Sequence, residues 1–122
     1  MSRIERVSQQ LKREISLIIQ RELTDPRLEF VTITQVEVSR DLRQAKVFFS
    51  ILGTALKREN AQEGLDGARG LIRKLVGQQI VMRHVPELTF IYDRSLEWSA
   101  SIEETLREIK DAQQNYPETK EV

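Results

Sequence analysis

The side chains of this chain best suited to chemistry are cations. Arg40 and Arg43 sit in the polar stretch RDLRQ, with Lys46 three positions further on. Arg69, Arg73 and Lys74 fall within ARGLIRK, and Arg83 follows. A guanidinium offers a planar fork of donors that meets two phosphate oxygens at once, while an ammonium binds phosphate as a point charge. These seven are the candidate phosphate contacts. Each is equally open to the plainer reading of an exposed cation that only meets water.

Other chemistry is poorly supplied. His84 is the single histidine, so no histidine-based metal cluster can form, and a Ser-His-Asp arrangement would hang on this one Arg-flanked residue. Glu103/Glu104 and Asp93/Glu97 could be drawn as acid and base partners. They read better as the negative start of a helix and as a hydrated face. With no cysteine there is no thiol nucleophile, no disulfide framework and no cysteine-bound zinc. No phosphate-binding loop or dinucleotide fingerprint occurs. The expectation is a non-enzyme with no catalytic residue, metal, cofactor or small-molecule substrate.

Net charge is zero over 122 residues, but the zero is a cancellation. Residues 1–95 carry 16 Lys+Arg against 12 Asp+Glu, and residues 96–122 carry 3 against 7. A basic body with an acidic tail suits a body that meets a polyanion, or else the tail is simply a hydrated acidic helix. The longest apolar run, VFFSIL, is far too short to span a bilayer, and the N-terminus lacks a signal-peptide core. A cytoplasmic protein with no membrane partner is expected.

The elements that must position the cations follow from periodicity. Ile4, Val7, Leu11, Ile15, Ile18 and Ile19 recur at three- and four-residue spacing and predict an amphipathic helix over 3–23, ended by Pro26. VTITQVEVS alternates as a strand, but its apolar set moves from Val31 and Ile33 to Val36 and Val38. That shift predicts a bulge near Thr34 or Gln35. RDLRQ is then a turn, and AKVFFSIL a second strand with Ala45, Val47, Phe49 and Ile51 on one face. Residues 58–79 scan as helix with an interruption at Gly70. LTFIY (88–92) predicts a third strand, for which Pro86 favours an edge or a bulge over a central paired position. Ser101 and Glu104 form a capping-box signature for a last helix carrying Ile102, Leu106 and Ile109. Trp98 and Tyr92 could stack on bases, though Trp98 beside Leu96 reads better as a contact docking that helix on the body.

The order helix, strand, strand, interrupted helix pair, strand implies an α+β fold with helices on one face of a three-stranded sheet. That order resembles a type II KH-like domain, a class that binds single-stranded RNA where a GXXG loop between two helices lets the backbone approach. Three stretches then resemble the ribosome-binding factor A family of bacterial small-subunit assembly factors: DPRLEFVTITQVEVSRDLRQAKVFFS, ARGLIRKLVG and VPELTFIYDRSLEWSASIEETLREI. The resemblance implies a KH-like RNA-binding domain over 1–95, a helical extension over 96–113 and a disordered tail over 114–122. It implies an Ala-x-Gly kink at Ala68 and Gly70, with Gly70 and the seven cations facing ribosomal RNA. It also implies a monomer that binds the immature small ribosomal subunit and assists late rRNA folding, 5′-end processing and cold adaptation. A general single-stranded RNA-binding module and a protein-interaction scaffold built on the first helix are the competing readings. If Gly70 is a bend, Gly70→Ala should lose stability or binding although alanine is the better helix former.

Overall fold

The structure, a computed structural model, describes residues 1–95. Helix α1 spans Arg3–Arg21 and starts on Ser2, whose hydroxyl accepts the Glu5 N–H at 3.1 Å. It buries Leu11, Ile15, Ile18 and Ile19, a single stripe at helical spacing. The chain then makes a short 3-10 turn, Pro26–Leu28, with Pro at its start and the Asp25 carboxylate accepting the Arg27 N–H. Strands β1 (Thr32–Val38) and β2 (Gln44–Ser50) form an antiparallel hairpin. Its register slips between Ile33 and Gln35, at the predicted bulge. The slip turns Ile33 and Val36 to the same side although one is odd and the other even, and both are buried.

Helix α2 spans Ala55–Gln79 and β3 spans Glu87–Tyr92. β3 pairs parallel to β2, giving the sheet order β1-β2-β3 and leaving β3 at an edge. A parallel neighbour requires a long crossover, and α2 supplies it. α1 packs on β1 and α2 on β3, and the two helices touch each other. Between helices and sheet lies one core of Leu11, Ile15, Val47, Phe49, Leu65, Ile72, Val76, Leu88 and their neighbours. The opposite sheet face carries Glu37, Lys46 and Thr89 in one cross-strand row.

One element differs from expectation. α2 starts at Ala55, capped by the Thr54 hydroxyl, and runs without interruption through Ala68 and Gly70. No break separates two helices; the predicted pair is one 25-residue helix. Four glycines lie within it, each costing about 1 kcal/mol against alanine in intrinsic propensity. Packing of Ala61, Leu65, Ile72 and Val76, all fully buried, holds the helix together across them. The glycine with a packing duty is Gly64. A Cβ there would stand 3.0 Å from Leu28 Cδ2 and 3.2 Å from an Asp25 carboxylate oxygen. The absence of a side chain at 64 is what lets the 3-10 turn seat on α2. The predicted terminal helix, its capping box and Trp98 lie outside the described residues.

Candidate nucleic-acid interface

The sheet has two ends of different chemistry. At one end the β1–β2 turn, the start of β3 and the α2–β3 loop converge: the Arg43 carbonyl accepts the Glu87 N–H at 2.8 Å. The turn is held from within. Asp41 accepts the Ser39 hydroxyl at 2.7 Å and the Arg43 N–H at 3.1 Å, while the Ser39 oxygen accepts the Gln44 N–H. The Ser39 and Arg43 donors hold the Asp41 carboxyl below its ordinary value. Leu42 takes a left-handed backbone, φ 62°, to close the turn. A turn fixed this firmly presents Arg40 and Arg43, both exposed, from a rigid base.

The second half of α2 reaches the same end. The Arg73 guanidinium donates to the Val85 carbonyl at 2.8 Å and to the Pro86 carbonyl at 3.2 Å, and Gly77 lies against Val85. Arg83, exposed in this loop, therefore joins Arg40 and Arg43 at one end of the sheet. Arg73 itself is half-buried and engaged with backbone, so its principal duty is to clasp the loop to the helix. Lys74, next in sequence, is exposed, and Lys46 stands on the open sheet face. Arg69 is exposed and meets Asp66 at 3.4 Å, one helical turn back.

Gly70 lies on the outside of α2, where a Cβ would meet no atom within 4 Å, and the same holds for Gly67. Among the described residues, neither glycine makes room for packing. One turn apart, they bare a strip of helix backbone to solvent beside Arg69 and Lys74. Gly67 escaped the sequence reading, although the run Gly67-Ala68-Arg69-Gly70 shows it: two glycines three apart share a helix face. Also unforeseen is the engagement of Arg73, for which no sequence signal exists, since its partners are carbonyls twelve and thirteen residues away.

The arrangement offers donors and bare backbone, which suits a polyanion. Among the described residues no group of three or more His, Cys, Asp or Glu is placed to hold a metal ion, and none of their helices is long and apolar enough to cross a membrane. His84 is exposed in the α2–β3 loop.

A profile of the family described as ribosome-binding factor A matches residues 3–106. The ribosome-binding factor A of Halothermothrix orenii is 47% identical over 113 residues, 93% of either chain. The crystal structure of ribosome-binding factor A from Thermus thermophilus superposes with a TM-score of 0.69 at 28% identity, covering 75% of this chain and 97% of that one. A homology model of Thermus thermophilus ribosome binding factor A, fitted into the cryo-EM map of its 30S complex, superposes with a TM-score of 0.61 at 30% identity, covering 71% of this chain and 91% of that one. The α+β arrangement is thus the KH-like fold of these relatives.

Proposed function

This chain belongs to the ribosome-binding factor A family, and on that premise we propose that its basic sheet end and the bared turn of α2 bind RNA of the immature small ribosomal subunit. Binding of this kind would assist late rRNA folding and 5′-end processing, and growth in the cold, without catalysis, by a cytoplasmic monomer. The relative fitted into a 30S complex supports the choice of partner. The observation that carries the reading is the face of α2 at Gly67 and Gly70, where no Cβ is present and none would meet the rest of the protein. A sugar-phosphate backbone can come close to helix backbone there, with Arg69 and Lys74 within the same two turns to meet its charge. Arg40, Arg43 and Arg83 extend the cationic surface along the adjoining sheet end, with Lys46 beside them on the open face.

Cosedimentation of the protein with free small subunits tests this. Affinity should fall steeply as salt rises from about 50 to 200 mM, because lysine and arginine contacts displace counterions condensed on the RNA. Unrelated RNA of equal length should bind more weakly at every salt concentration. Affinity indifferent to salt would remove phosphate contact as the main attraction, and equal binding to unrelated RNA would favour a general RNA-binding module.

A further inference from the structure

The end of the sheet remote from the basic turn holds a groove of about 940 Å³ that the RNA-facing surface does not use. Ile19 of α1, Leu23 just past its end and Leu28 of the 3-10 turn line one side, and the β2–α2 loop lines the other. Two large apolar residues of the groove stand out in water: Phe30 is 67% exposed and Leu52 is 87% exposed. Apolar side chains gathered about a concavity mark a surface built to be covered. Tyr92, the last residue of β3, also lines this groove.

We propose that this groove seats residues 96–109 of the same chain. Tyr92 is a lining residue, so the backbone leaves the body at the groove itself, and Trp98 lies only six residues further along. Three residues past Ser95 span about 10 Å when extended. The segment has what the groove lacks: Leu96, Trp98, Ile102, Leu106 and Ile109. Its charge is complementary too. Arg58 lies 4.1 Å from the centre of the Tyr92 ring and Arg94 lies 5.9 Å from it, so two guanidiniums gather where the chain departs. Residues 96–109 carry Glu97, Glu103, Glu104 and Glu108 against Arg107 alone. The family match continues to residue 106, past the last strand and through most of this segment. Seated here, the acidic segment is held at the far end of the sheet from Arg40, Arg43 and Arg83, where it cannot compete with RNA for them.

Trp98 is the only tryptophan, so the emission of the full-length free protein reads the seat directly, without ribosomes. Its failure is thereby separate from any failure of RNA binding. The wild-type protein should emit to the blue of a hydrated indole and resist quenching by acrylamide. Leu52→Asp and Phe30→Asp, both at exposed positions, should shift the emission to the red and raise the quenching constant several-fold, with the helical circular dichroism of the body retained. Val81→Asp, an exposed substitution in the α2–β3 loop, should change neither. Wild-type emission already at the hydrated position overturns the proposal, as does a protected Trp98 indifferent to both groove substitutions. Protection that disappears on dilution would place a second copy's segment in the groove and would overturn the intramolecular seat.

Discussion

Gly64 and Gly70 make a controlled pair, because alanine brings the same gain in helix propensity at both positions, about 1 kcal/mol. At 70 the new methyl meets nothing, so Gly70→Ala should raise the melting temperature. At 64 it presses on Leu28, which is buried, and on an Asp25 carboxylate already bound to Arg27. Overpacking of this kind costs about 1–3 kcal/mol. Gly64→Ala should therefore melt below Gly70→Ala by an amount of that order, measured by thermal denaturation of the two variants side by side. If close approach at residue 70 matters for RNA, Gly70→Ala binds small subunits more weakly while being the more stable protein. Arg73 and Lys74 form a second pair. Arg73→Ala leaves the Val85 and Pro86 carbonyls without their donor, which costs about 1–3 kcal/mol when such groups are shielded from water. Lys74→Ala should melt like the parent and lose affinity, with a shallower dependence on salt.

Among the elements, the hairpin was the most legible in sequence. The change of parity between Ile33 and Val36 has only one cheap explanation, an extra residue in the strand, and the register slip lies there. The edge position of β3 was only half legible, since Pro86, just ahead of the strand, allowed either an edge or a bulge. α2 is one helix where the sequence suggests a pair, because a glycine in a helix is ambiguous by itself. Whether it marks a bend, a close approach or bare backbone depends on what stands opposite, and that is set by chain 36 or 39 residues away, Asp25 and Leu28 against Gly64. The engagement of Arg73 was not legible, because its carbonyl partners lie where periodicity cannot place them. The sheet is also tied across its width: the Thr34 hydroxyl at the bulge donates to Asp93 beyond β3, and Asp93 further accepts from the Ser95 hydroxyl and N–H. The Ser95 and Thr34 donors hold the Asp93 carboxyl below 3.8, its ordinary value, and Arg27 does the same for Asp25. A carboxyl more acidic in the folded chain contributes stability in full above its unfolded value and loses it as pH falls through the folded one. The melting temperature should thus be level from neutrality down to about pH 5 and fall below about pH 4. Asp93→Asn should melt lower at neutral pH and lose less on acidification, which a series of melts from neutral to acid pH checks.

At the scale of the whole molecule, Arg40, Arg43 and Arg83 share one end of the sheet, and salt is the variable that reads what they do. Each phosphate contact removed should lower the salt slope of small-subunit binding by about one. Arg40→Ala and Arg83→Ala, on separate loops of one surface, should each do so, and the double variant should lose about two if both touch phosphate; binding measured across a salt series decides it. The parallel pairing of β2 with β3 governs something else, the order in which the molecule can be built. Gln44 must find Glu87, and Phe49 must find Tyr92, across the whole of α2. A growing chain can close the β1–β2 hairpin against α1 as soon as its first fifty or so residues are free. The other flank of β2 then waits without a strand, its Val47 and Phe49 half-covered, through the synthesis of some forty further residues. The α2 crossover thus leaves the last strand to complete the sheet, and the chain passes through a period in which its central strand is an open edge.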